Sequence, residues 1–338
     1  MNQTRIVKWD NLKFLLIFLV VFGHLGRQVS SLSPLMEGIV FFIYLFHMPL
    51  FLFLSGYFSK GAVERRKYSQ VLSYFLLYLF LKFSLFAIRA FFSYPELPSI
   101  YLLSERGVAW YSLSLACFLL MTMFLVRFKP RYLLVASLLV GCLVGYCQDV
   151  GALLALGRTL SFYPFFLAGF YFRPESMAGL SRRWYGKLLA GGVLLATAIL
   201  SVQKIDVLGQ WLSFLKCVDN YQTALEGYAP WGGLLHLGLY ALSFLLIFAL
   251  VVLIPSRHIP LISRTGKYTL AIYGLHYQII LILNHFKQPK TFLHTCCPDL
   301  YLPVYVALSL VLVLVLSLPC FDRFLRAITC PPLRNASP

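Results

Sequence analysis

The sequence predicts an all-α integral membrane protein of about ten transmembrane helices with both termini in the cytoplasm. Three observations carry that reading. Apolar residues are 60% of the 338 and charged residues 12%, where soluble domains carry roughly 45–50% and about 25%. The mean hydropathy is +0.78. The apolar residues also fall into runs near the about 17–25 residues that a helix needs to cross a bilayer, and cations gather between alternate runs. The same figures exclude a disordered chain, a collagen, a coiled coil and a small disulfide scaffold.

Charges and Gly/Pro breaks mark ten segments: 11–28, 35–58, 70–92, 108–126, 132–147, 152–172, 186–202, 232–254, 267–284 and 301–321. No small-residue cleavage site follows the first run, so it is expected to be retained as a span. No internal repeat is visible, which argues against a transporter built from duplicated halves. Twenty of the 29 Lys and Arg residues fall on one side of the predicted bundle and six on the other, with Lys82, Arg89 and Arg158 inside spans. The positive-inside rule makes the richer side cytoplasmic. In a soluble protein the net charge of +17 would suggest nucleic acid. Here the cations sit in short loops, so the expected partner is the lipid bilayer of the cell (cytoplasmic or inner) membrane. No CxxC or His/Cys spacing suggests a metal, and Cys296-Cys297 is the one cysteine pair in a loop. The longest connection, 203–231, faces outside with aromatic and acidic residues. It suits either a polar, sugar-like ligand or the headgroup interface.

Polar groups within spans need a reason, because a charge at mid-bilayer costs at least about 2.5–3.5 kcal/mol. Lys13 and His24 are eleven residues apart, so they share a helix face about 16 Å apart, with Asp10 one turn below Lys13. A cation at the inner mouth and an imidazole deeper on the same stripe suggest a path from the cytoplasm. His47 and His276 reach a comparable depth, and Arg158 lies in the sixth span. Pro49 and Pro164 each free a backbone carbonyl inside a span. Ser55 and Lys60, with Arg65, Arg66 and Lys67 just beyond, end the second span in a basic cluster. That cluster suits a phosphorylated ligand or simple positive-inside anchoring. On residues alone, such a path serves an enzyme, a proton-relaying transporter or a scaffold for glycan export.

Several runs resemble a known family. Trp9-Asp10-Asn11-Leu12-Lys13 with Val20-Val21-Phe22-Gly23-His24 is similar to its first-span motif, and Phe46-His47-Met48-Pro49 through Ser55-Gly56-Tyr57 to its second. Trp110-Tyr111-Ser112-Leu113, Tyr163-Pro164-Phe165-Phe166 and Gly266-Lys267-Tyr268 through Leu275-His276 resemble further signatures in family order. The chain thus resembles acyltransferase family 3, integral membrane O-acyltransferases, most of all the branch grouped with fucose 4-O-acetylase. The resemblance spans about residues 5–285 of what is expected to be a single domain over 1–338, with no appended extracellular hydrolase-like domain. It implies transfer of an acyl group, usually acetyl from acetyl-CoA as co-substrate with no tightly bound cofactor, to a hydroxyl of a sugar or surface glycan.

Carried over residue by residue, the resemblance makes His24 the essential histidine and Lys13 the basic residue before it. His47, Arg158 and His276 are expected to orient His24 or stabilise the oxyanion. Asp10, Lys13, Ser55, Lys60, Arg65, Arg66 and Trp110 are expected to bind donor or substrate. Some members carry Arg-x-x-Arg after the second span, whereas Arg65-Arg66-Lys67 supplies the charge without that spacing.

Overall fold

The computed structural model describes residues 7–92, 104–148, 153–285 and 300–330. Among the described residues every element is helical apart from one isolated bridge between Ser104 and Leu153. Helix α1 (Val7–Arg27) leads to α2 (Pro34–Tyr44), α3 (His47–Phe58), the short α4 (Lys60–Glu64) and the long α5 (Tyr68–Phe92). Then come α6 (Trp110–Leu125), α7 (Pro130–Val144), α8 (Leu156–Tyr171), α9 (Glu175–Arg182) and α10 (Trp184–Gln203). Three short helices, α11 (Ile205–Leu208), α12 (Leu212–Lys216) and α13 (Tyr221–Leu225), precede α14 (Gly232–Leu253) and α15 (Pro260–Thr265). The order ends with α16 (Thr269–His285), α17 (Tyr301–Leu316) and α18 (Pro319–Thr329).

Each of the ten apolar segments holds a helix, and the second and tenth are broken. Among the described residues five helical stretches are long and apolar enough to cross a membrane, or six if the bent pair α17–α18 is one span. The others are shorter, such as the 16 residues of α6 and the 15 of α7. The second segment breaks at Leu45–Phe46. Pro49 has no N–H to return to Leu45 four residues earlier, and the Ser243 hydroxyl of α14 donates to the Leu45 carbonyl instead, at 2.7 Å. Pro49 therefore sits in the first turn of α3, where proline costs little. The tenth segment ends at Leu316 and turns by 64° into α18.

Helix α1 lies between two apolar clusters. Leu12 and Leu16 pack with Leu50, Phe118 and Phe166 on one side, and Ile17 and Val21 with Val40, Ile272 and Val313 on the other. Near its N-terminal end Asn11 is buried, and its amide donates to the carbonyls of Pro255 and Arg257 at 2.9 and 3.0 Å. The Ser263 hydroxyl donates to Asn11 Oδ1 at 2.6 Å. On the outside of the bundle α7 exposes Val135, Leu139 and Leu143, one stripe at four-residue spacing that suits acyl chains. The 203–231 connection is a folded helical cap, with Leu212, Phe214 and Tyr221 buried. Cys296, Cys297, Arg5 and Arg334 lie outside the described residues.

Helices α3 and α8 meet backbone against backbone. A Cβ on Gly56 would collide with the Phe166 carbonyl, and one on Gly169 with that of Phe53. Small residues at such a crossing let two membrane helices approach closely. Gly169→Ala is therefore expected to cost about 1–3 kcal/mol by overpacking, read as a lower unfolding temperature in detergent. Gly238→Ala, where nothing lies within 4 Å of the added methyl, is expected to hold or raise it.

Candidate active site

A cavity of about 300 Å3 runs alongside α1. Its α1 wall is Lys13, Ile17, Val20 and His24, at the i, i+4, i+7, i+11 spacing that keeps side chains on one helix face. Helix α3 contributes Phe51, Ser55 and Phe58, α6 contributes Trp110 and Tyr111, and α16 contributes Tyr273. At the mouth, Lys13 Nζ sits 3.8 Å from the centre of the Phe58 ring, a cation–π contact. Midway, Ser55 Oγ and Tyr111 Oη lie 2.8 Å apart, and Ser55 donates to the Phe51 carbonyl at 2.9 Å. The lining is mostly apolar with a few polar groups placed along its length, as in ligand sites generally.

His24 is half-buried at the far end of this wall. Its ring lies 5.3 Å from that of His276 and 5.1 Å, edge-on, from Tyr277. His276 Nδ1 faces the carbonyls of Ile272 and Tyr273 at 3.0 and 2.9 Å. A carbonyl only accepts, so Nδ1 is the protonated nitrogen, and Nε2 is left buried without a hydrogen-bond partner. His47 is placed alike, its Nδ1 donating to the Ile43 carbonyl at 2.8 Å and its ring 4.8 Å from Tyr44. His47, His276 and Arg158 are all within electrostatic reach of His24. None of the three lines the cavity, so they stand behind it.

Arg158 is buried on α8 and grips the segment that precedes α6. Its terminal nitrogens donate to the carbonyls of Gly107 and Arg106 at 3.1 and 3.0 Å, and its guanidinium lies 5.2 Å from the Trp110 ring centre. Its Nε is buried and unpartnered. The same segment is held from α5, where Lys82 pairs with Glu105 at 2.8 Å and donates to the Ser104 carbonyl at 2.6 Å. Tyr273 Oη donates to the Val108 carbonyl at 2.8 Å. Two in-span cations and a tyrosine thus fix the short stretch that carries Trp110 into the cavity wall.

The remaining predicted binding residues lie apart from the cavity wall. Asp10 is buried one turn below Lys13, against Gly266, whose backbone approaches so closely that a Cβ there would strike the Asp10 carbonyl. Lys60 donates to the Phe172 carbonyl at 2.8 Å and lies 5.1 Å from the Tyr57 ring centre, and burial lowers its pKa from the usual lysine value. Arg65 and Arg66 are exposed on the turn after α4, Arg66 with a φ of 45°. Glu105, Tyr111 and Tyr273 were not singled out from sequence. Tyr111 and Tyr273 lie within motif runs, whereas Glu105 gives no local sign of its role. In the helical cap formed by 203–231, Cys217 lies 3.9 Å from His236 Nε2 and burial pushes its thiol up to about 12. It therefore stays protonated near neutrality and is no ready nucleophile.

Fold and cavity together define a multi-pass helical membrane protein with a cleft that runs from a lysine to a deep histidine. The comparisons agree with that class. A family model described as an acyltransferase domain, that of acyltransferase family 3, matches residues 6–322. The chain belongs to that family of membrane acyltransferases. It is similar to nodulation protein NolL of Sinorhizobium fredii, 28% identical over 189 residues, covering 50% of this chain and 49% of that one. It is also similar to nodulation protein NolL of Mesorhizobium japonicum, 40% identical over 76 residues, covering 20% and 19%. The chain spans about half the length, or less, of these curated relatives. No solved structure matches.

The Lys82–Glu105 pair generates a stability prediction. Its side chains are 15% and 3% exposed, so removing one partner strands a charge in a buried site. Glu105→Ala is expected to lose about 3–5 kcal/mol in detergent unfolding, and the double change of Lys82→Met with Glu105→Leu to recover much of it.

Proposed function

We propose that the protein transfers an acyl group, acetyl in the first instance, from cytoplasmic acyl-CoA to a hydroxyl of a sugar or surface glycan. The observation that carries this reading is the single cavity that joins Lys13 to His24. In the proposed topology ten spans place both termini and the Lys13 mouth in the cytoplasm of a cell with the protein in its inner membrane. The shorter helices α6, α7, α8 and α16 then cross where the bilayer is locally thinned.

The pantetheine arm enters past Lys13 and lies along Ile17 and Val20, with its amides near Ser55, Tyr111 and Tyr273. The about 16 Å from Lys13 to His24 brings the thioester to the imidazole. The acceptor oxygen attacks the thioester carbon, and His24 takes the hydroxyl proton as general base. The C–S bond breaks, and the same proton passes from His24 to the leaving sulfur, which yields the acyl ester and free CoA. His276 holds His24 in position through ring packing. Arg158 braces Trp110 from behind the cleft and so holds one wall of the site in place. His47 stabilises the same end of the cleft from α3.

The test is thiol release from acetyl-CoA by purified protein in nanodiscs with a glycan acceptor. His24→Ala is expected to lower release by about 10²–10⁴-fold, the usual worth of a positioned base, with unfolding temperature unchanged. Unchanged release in this variant would remove His24 from the reaction. Solute movement with CoA left intact would replace the enzyme reading with that of a transporter.

A further inference from the structure

A second cavity, about 420 Å3, lies between α5 and the C-terminal helix α18. It is lined by Lys67, Ser69, Gln70, Ser73, Arg326 and Thr329, among others. Gln70, Tyr74, Leu77 and Leu270 line both this space and the cleft beside α1, so the two adjoin across one shared wall. The junction is polar, with Gln70 donating to Tyr74 Oη at 3.3 Å. The two spaces differ in character. The cleft has aromatic residues along its length, whereas the second space has hydroxyls and two cations around it.

Helix α18 is seated there specifically. Leu325 is fully buried against α16, where a Cβ on Gly274 would run into its side chain. Phe324 packs 6.0 Å from Phe80 of α5. Arg326 is thereby presented at the second cavity. Its Nε is bound to Asp322 Oδ2 at 2.6 Å, and its two terminal nitrogens remain as a fork. A guanidinium held in this way suits phosphate oxygens. Arg326 and Thr329 lie beyond residue 322, where the family match ends.

We propose that this second cavity seats the phosphorylated nucleotide end of the donor, with Arg326 and Lys67 pairing with its phosphates. The proposal rests on the acyl-CoA reading above and adds to it a place for the phosphate-bearing part of the donor, outside the mostly apolar cleft. The pantetheine arm passes over Gln70 and Tyr74, which border both spaces, and enters the cleft past Lys13, while the charged end stays among the cations and hydroxyls. Helix α18 then acts as one jaw of the donor site.

The experiment measures binding of CoA and of pantetheine, which lacks the nucleotide and its phosphates, to full-length protein in nanodiscs of neutral lipid. Arg326→Gln is expected to weaken CoA about tenfold, one charge-assisted contact, and so to reduce the preference for CoA over pantetheine by the same factor. Arg326→Lys is expected to recover part of it. An unchanged CoA affinity in Arg326→Gln, or an equal loss for both ligands, would overturn the proposal. A parallel set in phosphatidylglycerol nanodiscs distinguishes the other source of phosphate. If the substitution alters only the competition between that lipid and CoA, the cavity holds a headgroup and the proposal fails. If the wild type binds neither CoA nor pantetheine, the acyl-CoA reading falls with it. If it binds both and only the Arg326 arm fails, that reading stands.

Discussion

Helix α1 presents Lys13, Ile17, Val20 and His24 to one cleft because its other faces are already committed. Leu12 and Leu16 face one apolar cluster, and Ile17 and Val21 reach into the other. A rotation of one residue, about 100°, would bury Lys13 and turn His24 away from the cleft. Both ends resist it. Asn11 ties the N-terminal end to the segment around Pro255 and Ser263, and at the C-terminal end Gly26 packs against Met36 and Val40, with room for no larger residue unless they shift. The cleft, the position of His24 and the support from α16 all follow from that register.

The charges of Lys82 and Arg158, drawn into the helical bundle, serve the same end. Lys82 is neutralised by Glu105 at 2.8 Å, and Arg158 is held by two backbone carbonyls and the face of Trp110. Each cation is costly in lipid, and each is anchored to the stretch between Ser104 and Trp110. That stretch joins α5 to α6 and supplies the cleft with its tryptophan. These charges thus order an irregular segment where it leads into the cavity wall.

Much of this was legible in the sequence because it is local. Eleven residues of helix are enough to place Lys13 and His24 on one face, and the apolar runs are enough to place ten helical segments. Pro49 signalled a freed carbonyl, but the break it allows depends on Ser243, 198 residues from Leu45. Glu105 stands among ordinary loop residues, and its partner Lys82 lies 23 positions away on another helix. The Asn11–Ser263 bond joins residues 252 apart. The bend into α18 comes at Pro319, the first residue of that helix, whereas the seating of Leu325 against Gly274 is a long-range contact that periodicity does not record. Local pattern thus specified the helices, and long-range polar contacts specified how they are braced.

The central claim is that the cleft beside α1 holds the thioester arm of the donor with its sulfur at His24. The most direct measurement is a cryo-electron microscopy structure of the protein with a non-hydrolysable thioether analogue of acetyl-CoA. The account predicts continuous density along Lys13, Ile17 and Val20, with the sulfur in contact with the His24 ring. Bound analogue on another surface, with the cleft empty, would contradict it.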